Sequence, residues 1–216
     1  MNLIIFGPPG AGKGTQSNNI VHDFDLKQIS TGDLLRNEIK FKTNFGKRIE
    51  STINKGKFVS DDIVNTLIEK IISDPNNFNR LIFDGYPRTL SQVYSLDKFL
   101  KKLNQKISIV FSLNVDKDII SKRINGRIIC AKCFKIFNVY FNPANSKNHE
   151  CDKKYLTKRT DDNSKTILNR FETYVTKTKP ILNYYKKKGS LYEINANQNI
   201  EEICSKIKDI LGNIKD

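Results

Sequence analysis

Short apolar runs alternate along this chain with stretches of helical period. Residues 3–6 read LIIF, 81–84 read LIFD and 107–113 read ISIVFSL, each bounded by glycine, proline or polar residues and each the length of a buried strand. Between and after them, apolar positions recur at helical spacing over 13–23, 90–103, 116–124 and 162–187. A further strand is predicted at 190–194 and a closing helix at 200–211. Strands that alternate with helices in this way favour a parallel sheet with crossover helices, an α/β fold.

Two stretches break the alternation. Residues 30–59 carry the pattern of one or two helices punctuated by Gly46 and Gly56, where a compact crossover would be enough. Residues 127–162 are rich in Cys, Lys, Asn and aromatics, lack helical period, and read as a small β-rich insert. The expected organisation is a core built from 1–29, 60–126 and 163–216, with lobes at 30–59 and 127–162. Both lobes are expected beside the carboxyl edge of the sheet, where α/β folds place their ligands.

Composition changes the picture only modestly. A formal charge of +14 and a pI near 9.6 would suit a nucleic-acid binder, but the lysines are dispersed and no nucleic-acid-binding motif is present. Solvated lysine faces explain most of the excess, and a share is left for anionic substrates. The first apolar run is too short for a signal peptide, and no run is long enough to span a bilayer, so a cytoplasmic protein with no membrane or nucleic-acid partner is expected. Three of the four cysteines fall between positions 130 and 151, a grouping typical of a metal knuckle and not of a disulfide framework. Cys204 falls in the closing helix and is expected in the core.

The densest chemistry lies at residues 7–15, GPPGAGKGT, between the first strand and the first helix. Glycines in that context let backbone N–H groups converge on phosphate oxygens, the helix N-terminus adds its dipole, and Lys13 neutralises the phosphates: a P-loop. The motif departs from the general form in having Gly14 where Ser or Thr usually follows the lysine, with Thr15 next. Magnesium must then be held mostly by the nucleotide and water, with Asp84 at the end of LIFD as the candidate carboxylate. Arg36, Arg88, Arg123, Arg127, Arg159 and Arg170 all lie outside apolar runs and offer planar forks for further phosphates.

GPPGAGKGT, STGDLLR (30–36), FDGYPRT (83–89) with Gln92, then Arg127, and RTDD (159–162) with Arg170 together resemble adenylate kinase of the long-lid type, in order and spacing over essentially the whole chain. The resemblance implies a P-loop NTPase-like parallel five-stranded sheet flanked by helices, with two mobile lobes: an AMP-binding lobe at 30–59 and a lid at 127–162. It implies reversible Mg2+-dependent transfer of a phosphoryl group from ATP to AMP, giving two ADP, by a monomer. Gly10, Ala11, Gly12, Lys13, Gly14, Thr15, Arg123 and Arg127 would hold ATP, with Ile136, Phe137 and the backbone near Gln198 at its base. Thr31, Arg36, Lys57, Phe58, Val59, Gly85, Tyr86, Pro87, Arg88 and Gln92 would hold AMP, with Arg159 and Arg170 reaching across the transferred group. Lys13, Asp84, Arg88, Arg127, Arg159 and Arg170 would carry the chemistry. The related UMP/CMP kinases are the alternative. They typically carry Ala where Thr31 stands, which favours AMP here.

Phosphoryl transfer between these partners needs no general base. With a second pKa of roughly 6, the AMP phosphate is already mostly dianionic at neutral pH and attacks in line. Neither His22 nor His149 is expected to move protons in the reaction. A non-catalytic nucleotide switch would need a hydroxyl directly after Lys13 and γ-phosphate-sensing residues, and the chain has neither. Closure of the lid is expected to pivot near Gly126 and Asp161–Asp162. Many long-lid relatives bind structural zinc in the lid, here at Cys130, Cys133 and Cys151. The fourth family position falls on Lys154, which cannot ligate while protonated, leaving His149 or Asp152 to complete the set, or three thiols packing without metal.

Overall fold

The computed structural model describes residues 1–159 and 161–214. β1 (Asn2–Phe6) is buried along its whole length. It pairs in parallel with β3 (Leu81–Asp84) on one side and β4 (Ile107–Asn114) on the other; β2 (Lys27–Ser30) lies outside β3 and β8 (Leu191–Asn195) outside β4. The order β2-β3-β1-β4-β8 is the expected parallel five-stranded sheet. Alternation along its strands divides the core in two. Ile4, Phe6, Leu81, Phe83 and Val110 face one way, packing with α4 (Asp61–Ile72), α5 (Leu90–Lys102) and α8 (Lys179–Lys187). Leu3, Ile5, Ile82, Ile109 and Phe111 face the other, packing with α1 (Lys13–Val21) and α9 (Ile200–Gly212). A sheet covered on both faces explains why its inner strands read as unbroken apolar runs.

β2 and α4 were absent from the expected elements. The strand reads KQIS and buries only Ile29, because it is an edge and needs no apolar run. The helix does carry a helical repeat in Val64, Ile68 and Ile72. The long helix expected over 162–187 is instead α7 (Ser164–Thr173), a π-helical turn at Tyr174–Thr178, and α8. Pro180, at the start of α8, has no N–H to give the preceding turn, and the altered winding precedes it directly.

Two inserts interrupt the alternation of strand and helix. Between β2 and β3 stand α2 (Thr31–Lys40) and α3 (Asn44–Asn54), capped by Ser30 and Thr43. Between α6 (Lys117–Asn125) and α7 stands an antiparallel three-stranded sheet, β5 (Arg127–Cys130) between β6 (Ile136–Asn138) and β7 (Leu156–Thr157). α2 and α3 meet at Gly46, where an added Cβ would lie 2.0 Å from the Glu38 carbonyl oxygen. Gly46→Ala therefore forces the two helices apart, at a cost of about 1–3 kcal/mol, which lowers Tm by roughly 2–10 °C at this chain length. Hydrogen exchange should quicken across α2 and α3 and not in the sheet; an unchanged melt and exchange pattern would contradict this packing.

Candidate active site

The strand ends of β1, β2 and β3 open into a cavity of about 360 Å³. Its walls come from the P-loop (Gly10, Gly12, Lys13, Gly14, Thr15), from β2 and α2 (Gln28, Thr31, Asp33, Arg36), and from Lys57, Phe58 and Val59. The turn after β3 adds Asp84, Gly85, Arg88 and Gln92, the second insert and the turn after it add Arg127, Phe134, Ile136, Arg159 and Asp161, and the helix that follows adds Arg170. A second cavity of about 150 Å³ lies on the other side of the P-loop, lined by Ala11, Arg123, Ile136, Phe137, Phe141 and Gln198 among others. Gly10, Gly12, Thr15, Arg127 and Ile136 border both. A phosphate chain on the P-loop would thus have a base-sized recess at each end.

Gly12, in a left-handed conformation, precedes α1, and no side chain among the described residues caps the helix, so its first N–H groups are left for a ligand. Lys13 Nζ donates to the loop's own Gly7 and Pro8 carbonyls, at 2.8 and 3.1 Å. Asp84 Oδ2 lies beside the P-loop, 3.4 Å from where a Cβ on Gly14 would stand, and accepts from Gln28 Nε2 at 3.1 Å. Its carboxylate is a hard oxygen donor suited to magnesium carried by the nucleotide.

The cations crowd one another. Burial draws Lys13 down to about 8, with Asp84 opposing and Arg88, Arg170 and Arg127 adding to the fall. Burial also brings Arg88 down to about 10, helped by Arg170 and Arg36 and opposed by Asp84. Arg159 falls to about 10 through burial, Arg36 and Arg127, and its Nε is buried without a hydrogen-bond partner among the described residues. Asp84 is pushed up by burial, against Lys13. Two carboxylates that sequence reading treated only as a hinge hold this group together. Asp162 accepts from Arg127 at 3.0 Å, and Asp161 accepts from Arg170 at 3.0 Å while lying 3.9 Å from Arg36. Arg88 donates from Nε to the Gly85 carbonyl at 2.6 Å and lies over the Phe58 ring. On the second-cavity side, Arg123 donates to the carbonyls of Ala11 and Gln198.

Most of the expected site residues therefore converge, but Tyr86 and Pro87 do not line either cavity. Tyr86 is fully buried in the core, with its hydroxyl donating to Asn65 Oδ1 at 2.7 Å, and Pro87 is buried beside it. They shape the turn that carries Gly85 and Arg88, and do not reach the ligand space. Thr31 Oγ1 donates to the Gly85 carbonyl at 2.7 Å, which leaves the hydroxyl oxygen as an acceptor toward the cavity. Gln28 was missed because it lies outside the motifs, and Asp33, although within STGDLLR, because a carboxylate is no phosphate-binding group; Asp33 pairs with Arg36 at 2.6 Å and approaches Arg159 at 3.8 Å.

A family model described as adenylate kinase matches residues 5–190 of the chain. The chain is 47% identical to an adenylate kinase of Pelagibacter ubique (strain HTCC1062), covering 98% of this chain and 99% of that protein. It is 38% identical to adenylate kinases of Geobacillus sp. (strain WCH70) and Archaeoglobus fulgidus, over the full length of all three chains. The chain belongs to the adenylate kinase family.

Three of the four cysteines gather within the second insert. One ligand atom from each of Cys130, Cys133, His149 and Cys151 lies within 4.8 Å of the others, against edges of roughly 3.3–3.8 Å in a formed tetrahedral zinc site. His149 Nε2 is buried without a hydrogen-bond partner among the described residues, an orphaned lone pair of the kind a metal satisfies. The set fits zinc, with His149 as the fourth donor. Asp152 stands outside it: its carboxylate accepts from the Lys154 backbone N–H at 2.9 Å and starts a short helical turn. Protein purified without chelator should contain about one zinc per chain, and EDTA and His149→Ala should each lower Tm. Well under one zinc, with melting indifferent to EDTA, would mean that the thiols pack without metal.

Proposed function

We propose that the residues around the two cavities divide the adenylate kinase reaction, ATP + AMP to two ADP, between a donor side and an acceptor side that share the P-loop. The observation that supports this reading is that the Lys13 loop and Arg127 stand between a larger and a smaller recess. On the donor side, the N–H groups of Gly10 to Thr15, Lys13, Arg123 and Arg127 take the ATP phosphates. Ile136, Phe137 and the Gln198 backbone bracket its base. On the acceptor side, Arg36 and Arg88 take the AMP phosphate, and Thr31, Lys57, Phe58, Val59, Gly85 and Gln92 surround its base. Arg159 and Arg170 face both phosphate groups; Asp161 and Asp162 keep Arg170 in place, and Asp33 approaches Arg159.

Asp84 is the carboxylate that would hold magnesium brought by ATP, and the metal would supply neutralisation of phosphate charge. The chain's own work is alignment. Fixed N–H groups and guanidinium forks stabilise charge on the transferred group without reorganising, and the dianionic acceptor needs no base. Excluding water is the task proposed for the lobes at 30–59 and 127–162. Lys40 of α2 already lies over the ring of Phe134 at the tip of the second insert, 4.8 Å from its centroid. No helix among the described residues is long and apolar enough to cross a membrane, and a cytoplasmic setting would supply both nucleotides.

Phosphorus NMR of the enzyme with ATP, AMP and magnesium should show ADP appearing at twice the rate at which AMP disappears. Hydrolysis to ADP and free phosphate without loss of AMP would overturn the reading. Arg88→Lys, which removes one arm of the fork at the acceptor phosphate, should lower kcat by about 100-fold or more. Near-normal kcat in that variant would remove Arg88 from the acceptor site.

A further inference from the structure

Gln92 sits in the first turn of α5, lines the larger cavity, and is only 2% exposed. Its side-chain amide is held on both flanks. Gln92 Oε1 accepts from the Arg88 backbone N–H at 2.6 Å, and Gln92 Nε2 donates to Asp61 Oδ1 at 2.6 Å. An amide can usually be turned end for end at little cost, since its two ends are nearly the same shape. Here it cannot. A backbone N–H only donates and an aspartate carboxylate only accepts, so reversing Gln92 would set donor against donor and acceptor against acceptor.

Asp61 is itself fixed. It occupies the first turn of α4, and its other oxygen accepts from Thr89 Oγ1 at 2.9 Å. Thr89 caps α5 by accepting from the Gln92 N–H at 3.1 Å. The carboxylate thus lies where the N-terminal ends of two helices meet, a position that favours negative charge. With one N–H and one lone pair of Gln92 committed, one of each remains. That pair matches an edge that presents a ring-nitrogen acceptor beside an exocyclic amino donor, as adenine does. Hypoxanthine and guanine present the reverse, a ring N–H beside an exocyclic oxygen.

We infer that Asp61 is a positioning residue that sets which way round Gln92 faces the cavity, and so makes the acceptor site select adenine over a base with the inverted edge. The inference rests on the reading of this cavity as the acceptor-base site. Asp61 touches neither base nor phosphate in this account; it acts through Gln92.

The test compares AMP with IMP, which differs from it only at the edge in question, by kcat/KM at fixed ATP. Asp61→Asn preserves shape but lets residue 61 either donate or accept, so the reversed Gln92 loses one of its two penalties. The AMP-over-IMP ratio should narrow by about tenfold, while KM for ATP and Tm stay near their original values. Asp61→Ser, whose hydroxyl also donates or accepts, repeats the measurement should the Asn variant melt early. Gln92→Leu is the reference arm, and it should collapse the ratio. An unchanged ratio in both Asp61 variants together with a collapsed one in Gln92→Leu would overturn the role of Asp61 alone. A ratio unchanged in all three would overturn the placement of the acceptor base at Gln92 and the inference with it.

Discussion

Mutual repulsion among buried cations is the constraint around which this molecule is built. Lys13, Arg88, Arg159 and Arg170 are all drawn below their ordinary values by burial, and each is pulled down further by positive neighbours. Left to itself such a group would spread into solvent. It is held by backbone and by carboxylates: the Gly7 and Pro8 carbonyls for Lys13, the Gly85 carbonyl for Arg88, and Asp161 and Asp162 for Arg170 and Arg127. Those anchors lie at the ends of parallel strands and at helix starts, so the buried two-faced sheet fixes the position of charge. Interactions worth little in water gain strength in such a site, and they need no rearrangement when a polyphosphate arrives.

The two inserts follow from the same constraint. Fixed cations stabilise a transferring phosphoryl group only if water does not compete, and a permanently closed pocket would not admit two nucleotides. Cation and carboxylate pairs such as Arg159 with Asp33 and Arg36 with Asp161, and the contact of Lys40 with Phe134, run between the inserts or from their roots. The Cys130, Cys133, His149 and Cys151 cluster lies in the second insert, and none of the four lines either cavity.

Phosphate chemistry was legible in the sequence because it is written in contiguous motifs: a glycine loop after an apolar strand, and arginines in fixed company. The sheet was legible where it is buried on both faces and illegible at β2, whose edge position requires almost no apolar residue. Relations across the fold left no local mark. That Asp61 fixes Gln92, that Asp161 and Asp162 hold arginines, and that His149 and not Asp152 faces the thiols all depend on segments distant in sequence meeting in space. Tyr86 and Pro87, inside a ligand-binding motif, are buried and line neither cavity.

If crowding keeps the free site short of protons, a bound polyanion must restore them. Lys13, at about 8 in the free protein, should take up a proton when phosphates surround it. Calorimetric titration with a bisubstrate analogue, two adenosines joined by a polyphosphate chain, reads this directly when run without magnesium in two buffers of different ionisation enthalpy. At about pH 8 the account expects one analogue per chain with net proton uptake, fading toward about pH 6.5 and lost in Lys13→Met. Tight binding at the higher pH with no proton uptake would contradict it.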